Sequence, residues 1–318
     1  MNKVCRIKYF PISFFSVILG MAGLTIVYQR AEKFLDFPFY LSDFLIYLTL
    51  MVFIIITFIY FIKIFKYPLE VKDEIDHPVK LSFFPTFSIS LLLLSIAFLQ
   101  KNIQVSKIFW FSGTIFHTYI TFKVIAIWIE QTKFKIHHIS PAWFIPIVGN
   151  IIIPVAGVVH VSIEISWFFY SIGIVFWLVL FTIFFYRIIF HHPLQEKLIP
   201  TFFILIAPAA VGFISYVKLN NEVDNFARVL YYFALFMTFL LLSRYKMFFK
   251  IKFYLSWWAY SFPIASITLA TILFYHLSEY IIFAILSYIF TGFLTIFILL
   301  IIFKTINAIR YEEICIEE

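Results

Sequence analysis

The sequence predicts an all-α integral membrane protein of ten transmembrane helices, arranged as five tandem helical hairpins. Three observations carry that prediction. Hydrophobic residues make up 63% of the 318 and charged residues only 13%, with a mean hydropathy of +1.00, so a water-soluble globule would lack the polar surface to cover itself. The apolar residues fall into ten runs of about 20, the length that crosses a bilayer as a helix. Prolines inside those runs occupy only the odd-numbered ones.

Taken in order, the runs lie at 10–29, 41–62, 81–100, 106–129, 141–161, 164–188, 198–217, 226–245, 253–275 and 280–304. The separators, such as Glu70 to Lys80 and Asn220 to Asp224, are short and polar. None is long enough to fold as a soluble unit, so residues 1–318 are expected to form a single membrane domain. Lys3, Arg6 and Lys8 resemble the start of a signal peptide, but no A-x-A cleavage site follows, and the first run is expected to stay as span one. Of the 24 Lys and Arg, 18 fall on the two tails and the even-numbered connections and 6 on the other side. This bias places both termini in the cytoplasm of a multi-pass cell-membrane protein.

Composition also excludes several classes. Cys5 and Cys315 sit at the two ends of the chain, which leaves no disulfide framework and no cysteine-based metal site. The net charge of +7 comes from basic residues scattered between apolar runs, so no nucleic-acid patch is expected. His137-His138 and His191-His192 fall on expected loops without a carboxylate cluster, a pattern of solvated side chains more than of a metal centre. No catalytic residue, metal site or cofactor is expected.

Proline placement is the most informative pattern. Pro85, Pro146, Pro154, Pro208 and Pro263 lie inside spans three, five, seven and nine, and Pro11 and Pro200 in the first turns of spans one and seven; the even spans contain none. A helix-interior proline removes a backbone hydrogen bond. In lipid the freed carbonyl must be satisfied by a neighbouring helix, a hydroxyl or water. Kinked helices therefore belong around a cavity, with the odd spans as an inner ring and the even spans outside. Pro85, Pro146, Pro208 and Pro263 are spaced by 61, 62 and 55 residues, about one hairpin each. Hydroxyls on odd spans, among them Ser16, Ser82, Thr86, Ser261 and Ser266, fit the same inner ring.

The charges then limit what passes through such a ring. Lys63, Lys123, Glu130, Glu164, Arg187 and Arg228 all fall near expected span ends, where long side chains snorkel to the interface. No acidic residue falls near the midplane, which argues against a proton-coupled pump and against a carboxylate-lined cation pathway. A pore lined by hydroxyls and aromatics, with helix dipoles at its breaks, implies a passive conduit for small inorganic anions, nitrate and chloride among them. Phe262 and Phe84 each precede a proline inside an odd span, so their backbones are expected outside the α region and either ring is a candidate gate. The candidate pore lining is Phe15, Ser16, Phe84, Asn150, Ser261 and Ser266. The alternative is a secondary transporter, for which Asn150 is the most plausible polar group.

Trp257-Trp258-Ala259-Tyr260-Ser261-Phe262-Pro263, followed by Ala270-Thr271, resembles the ninth-helix signature of the tellurite-resistance/C4-dicarboxylate transporter (TehA) family, which includes the plant guard-cell slow anion channel. His77-Pro78-Val79-Lys80 with Phe83-Phe84 is similar to its H-P-V-[RK] motif before span three. Pro141 to Asn150 resembles its fifth helix, and Ala207-Pro208 its seventh. The likeness covers residues 10 to 306. It implies a homotrimer in the lipid bilayer, a pore of five inner helices in each protomer, and Phe262 in the place of the gating phenylalanine. The family name implies C4-dicarboxylates or tellurite as the cargo of the alternative reading. Ile18 departs from the pattern, standing where relatives often carry proline.

Overall fold

The computed structural model describes residues 6–316 apart from 36, 38, 39 and 133, and the backbone alone of residue 249. Lys3 and Cys5 lie outside the described residues. Ten long helices follow one another: span one Ile12–Phe34, two Ser42–Lys66, three Lys80–Phe98, four Ile103–Glu130, five Pro141–His160, six Ile163–Phe190, seven Glu196–Asn220, eight Asn225–Ser243, nine Leu255–Ser278 and ten Ile281–Arg310. Short helices Pro68–Asp76 and Tyr245–Phe249 lie between spans two and three and between eight and nine. Among the described residues every regular element is helical.

Among the described residues, nine of the ten are long and apolar enough to cross a membrane by length and composition. Span four has the length, 28 residues, but dilutes its apolar run with Gln104, Ser106, Lys107 and His117. It opens on Asn102, whose side chain accepts hydrogen bonds from the N–H groups of Gln104 and Val105, a standard helix N-cap.

The inner ring is real. Span one packs on spans three and nine, three on five, five on seven, and seven on nine, so the odd spans close a circle of five. Each even span packs on its hairpin partner. Between 78% and 89% of the residues in each odd span's most apolar stretch are buried, against 28% to 44% in spans two, six, eight and ten. Outer helices spend their apolar residues on lipid, whereas inner helices bury theirs in the ring. That is why every span is apolar all round and the sequence shows no amphipathic stripe.

The prolines act differently from the expected mid-span kinks. Every odd span starts as a 3-10 helix and turns α-helical partway along: after Phe14, Phe83, Phe144, Ile206 and Tyr260. Pro85, Pro146 and Pro208 sit at the first or second α position, where the missing N–H interrupts least. Pro263 is third in its α segment, and only Pro154 lies deep inside one. The lead-in of span seven, Glu196–Ile206, runs for 11 residues around Pro200, long for a 3-10 helix. Because each span continues through this transition, no free helix end points into the ring. Phe84, before Pro85, is α-helical at φ −57° and ψ −38°, and Phe262 also lies within its α-helix. The helical lead-in overrides the extended bias that proline imposes on its predecessor.

Carbonyls around the prolines find partners on neighbouring helices. The Pro146 carbonyl accepts from Thr121 Oγ1 at 3.2 Å and Asn150 Nδ2 at 2.9 Å, and lies 3.0 Å from His117 Nε2. Ser215 Oγ donates to the Ile151 carbonyl, and Trp110 Nε1 to that of Ile153, within the turn that Pro154 interrupts.

On the face that carries both termini, Lys63 does not snorkel. It is 2% exposed, its Nζ lies 3.2 Å from Glu74 Oε2, and it donates to the Phe10 carbonyl. Tyr60 OH and the Ile12 N–H complete the carboxylate's shell. This buried knot ties span two and the Pro68–Asp76 helix to the lead-in of span one. Arg187 is also buried rather than snorkelled, whereas Lys123, Glu130, Glu164 and Arg228 are exposed.

Candidate functional site

Among the described residues, two cavities are lined by the odd spans of the ring. The wider, about 250 Å³, is lined by later residues of all five odd spans, including Ile26, Leu93, Ile152, Val211 and Leu269. The narrower, about 40 Å³, is lined by earlier residues of the same spans, including Leu19, Ile89, Val148, Ala207 and Ala259. Phe262 lines both, and among the described residues it is the only one that does. Phe262 is thus the residue the two linings share.

Hydrogen bonds brace span nine on both sides of Phe262. Trp258, almost fully buried in the 3-10 lead-in, donates through Nε1 to Thr305 Oγ1 of span ten at 3.0 Å. Ser261 Oγ donates to the Trp258 carbonyl at 2.6 Å, and Ser266 Oγ to the Phe262 carbonyl at 2.8 Å. The hydroxyls that marked span nine in the sequence are thus spent on its own backbone, as are those of Thr268 and Thr271. In span three, Thr86, Ser88 and Ser90 do the same.

The expected pore-lining residues separate. Ser16 lines the narrow cavity and Ser266 the wide one, and Pro263 also borders the narrow one. Phe15, Phe84, Asn150 and Ser261 line neither. Phe15 packs outward, its ring 5.2 to 6.2 Å from those of Phe87, Phe53 and Tyr60. Asn150 turns toward span four, where its amide meets the Pro146 carbonyl and the His117 and Thr121 side chains. The cavity walls are consequently more aliphatic than the hydroxyl count implied.

Charge enters where the sequence reading placed none. Arg30 and Lys218 line the wide cavity, with Asn221 and His276 beside them and, among the described residues, no Asp or Glu. These residues belong to the ends of spans one, seven and nine, on the face opposite the termini. Each of Arg30, Lys218 and His276 is the first residue beyond an expected span end at 29, 217 or 275. Charge read as a stop signal hid them, while the helices run on to Phe34, Asn220 and Ser278. The narrow cavity has no ionisable side chain in its lining. Among the described residues no group of three or more His, Cys, Asp or Glu is placed to hold a metal ion.

The family model described as voltage-dependent anion channel, SLAC1, matches residues 9–306. The chain belongs to the SLAC1 family. It is 28% identical to the uncharacterized transporter MJ0762 of Methanocaldococcus jannaschii, over 97% of both chains. It is 29% identical to the S-type anion channel SLAH3 of Arabidopsis thaliana, over 83% of this chain but 42% of that one, so it spans less than half of the plant protein. The tellurite resistance protein TehA homolog of Haemophilus influenzae is 24% identical over 84% of this chain and 81% of its own. The SLAC1 match thus indicates an anion channel or transporter in a membrane, and not an enzyme.

Proposed function

We propose that the axis of the ring is a passive conduit for small monovalent anions such as nitrate and chloride, closed by the ring of Phe262. The observation that carries this reading is that Phe262 borders both cavities, each of them lined by the same five odd spans. An aromatic ring in a largely apolar constriction excludes water, and hydrophobic constrictions gate by dewetting. Among the described residues neither cavity lining contains a carboxylate, and the formal charges in them are the cations Arg30 and Lys218. Such a path repels cations and binds anions weakly enough to release them. Ions that dehydrate cheaply pass best, which favours nitrate over chloride.

The same reading sets the protein in a cell membrane as a single domain with both termini cytoplasmic, from the Lys/Arg bias. It also takes the assembly to be a homotrimer with one conduit per protomer, as the family resemblance implies. Reversal potentials of purified protein in planar bilayers under a potassium nitrate gradient test the selectivity. A potential near the nitrate equilibrium value is expected, and one near zero would overturn the proposal.

Arg30 and Lys218 favour a second reading, a secondary transporter for C4-dicarboxylates or tellurite, because two cations from two helices can clamp two carboxylates. Both lie toward one face instead of the midplane, where such carriers hold their substrate. Saturable, pH-driven dicarboxylate uptake into proteoliposomes would favour the carrier; ohmic nitrate current favours the conduit.

A further inference from the structure

Among the described residues, the lining of the wide cavity carries cations and no carboxylate. Arg30 and Lys218 are both half-buried, on different inner helices, and among the described residues neither forms an ion pair. Lys33 stands nearby on the last turn of span one, and Lys218 feels the charges of both Arg30 and Lys33. Among the described carboxylates of this face, Glu164, Glu222 and Glu279 are exposed and outside the cavity's lining, and three others are engaged elsewhere. Glu32 accepts from the N–H and hydroxyl of Ser42, Asp43 pairs with Lys101, and Asp224 accepts from Tyr216 OH and the Ala227 N–H. Half-buried cations without a counter-charge are unfavourable, and an anion drawn from solution would offset them.

Phe262 borders the cavity and most of its wall is apolar, so an ion that enters meets full positive charge at Arg30 and Lys218, near the ends of spans one and seven. A monovalent anion neutralises half of the Arg30–Lys218 charge. A dianion neutralises all of it, and its doubled charge makes passage through the largely apolar constriction far more costly than for nitrate.

We propose that this cavity is a binding site for small dianionic oxyanions, held by Arg30 and Lys218, which occupy it without passing and block the conduit from the face opposite the termini. The blocking half rests on the conduit reading; the binding half does not. The Asn221 side chain borders the site, whereas Ser266 already donates its hydroxyl proton to Phe262 and can offer only a lone pair.

The test uses sulfate as the probe on two readouts. Equilibrium dialysis of radiolabelled sulfate against the full-length protein in detergent, at constant ionic strength, measures binding without any flux. Nitrate efflux from proteoliposomes, with sulfate added to one face at a time, measures block. One sulfate per protomer is expected, weakened roughly tenfold or more by Arg30→Gln and by Lys218→Gln. Arg30→Lys and Lys218→Arg keep the charge and are expected to retain binding, which separates loss of the site from loss of the fold. Sulfate binding with this dependence in a protein that passes no nitrate would leave the site standing and remove the conduit. Nitrate efflux with no sulfate binding, or with binding indifferent to both Gln variants, would overturn the site and leave the conduit. Equal block from the two faces would overturn the placement of the blocking site.

Discussion

Gly20 of span one and Ser261 of span nine meet so closely that a Cβ on Gly20 would stand 2.3 Å from Ser261 Oγ and 2.8 Å from Ser261 Cβ. This is the seam where the first and last inner helices close the ring. The serine cannot swing away freely, because its hydroxyl is bonded to the Trp258 carbonyl. Gly20→Ala is expected to lower stability by about 1–3 kcal/mol, the usual penalty for overpacking a tight core. Thermal unfolding in detergent measures it, and an unchanged melting temperature would contradict the seam.

A second close approach joins spans four and five. A Cβ on Gly149 would stand 2.0 Å from His117 Cε1, in the middle of a fully buried imidazole. His117 bridges Ser88 on span three, 2.9 Å from Nδ1, and the Pro146 carbonyl on span five. Gly149→Ala is expected to destabilise by about 1–3 kcal/mol. His117→Ala also destabilises, by leaving those groups unpaired. Combining the two removes the clash, so their penalties are expected to be less than additive. Additive penalties would show that the ring and the glycine do not meet.

The Lys63–Glu74 pair makes a different prediction. Removing one partner of a buried ion pair strands the other, at about 3–5 kcal/mol. Lys63→Met and Glu74→Gln are each expected to be strongly destabilising. Lys63→Met with Glu74→Leu should recover much of the loss, since an apolar pair of similar volume needs no counter-charge. A double variant worse than either single one would place the knot's value in its bonds to Tyr60, Phe10 and Ile12 instead.

Asp224 caps span eight and supplies a pH signature. The Ala227 N–H, and after it the Tyr216 hydroxyl, stabilise its charged form and hold its carboxyl below the ordinary value of 3.8. A carboxyl lowered on folding contributes stability above its unfolded value and loses it as the pH falls through the folded one. Asp224→Ala is therefore expected to melt below wild type at neutral pH, with the gap closing once the pH drops beneath the carboxylate range. Melting curves across that range check this, and a gap independent of pH would contradict it.

Much of the fold could be read from the residues, because proline alternation and hydropathy are both one-dimensional signals of the ring. Pro85, Pro146 and Pro208 marked the inner helices correctly even though they act at 3-10 to α transitions more than at mid-span kinks. The lining was harder. Asn150 looked like a pore residue because it is polar inside a span, yet its amide is needed by the Pro146 carbonyl on the outward side. Serines and threonines looked like a polar wall, yet in spans three and nine they bond back to their own helices. Phe262 could not be told from Phe84 by position before a proline. The distinction is three-dimensional: Phe262 lines both cavities and Phe84 neither. Arg30, Lys218 and His276 escaped because a charge at the end of an apolar run looks the same whether it leaves the membrane or turns into a cavity.

The most direct test of the conduit is single-protein current in planar bilayers under a nitrate gradient, comparing wild type with Phe262→Ala and Phe84→Ala. The account predicts that truncating Phe262 raises nitrate-selective current by roughly tenfold or more, by removing the ring that borders both cavities. Phe84→Ala, which touches neither cavity, should leave the current near that of wild type. Equal currents from wild type and Phe262→Ala, in protein shown to be folded, would contradict the aromatic gate; a larger gain from Phe84→Ala would move the gate to that ring.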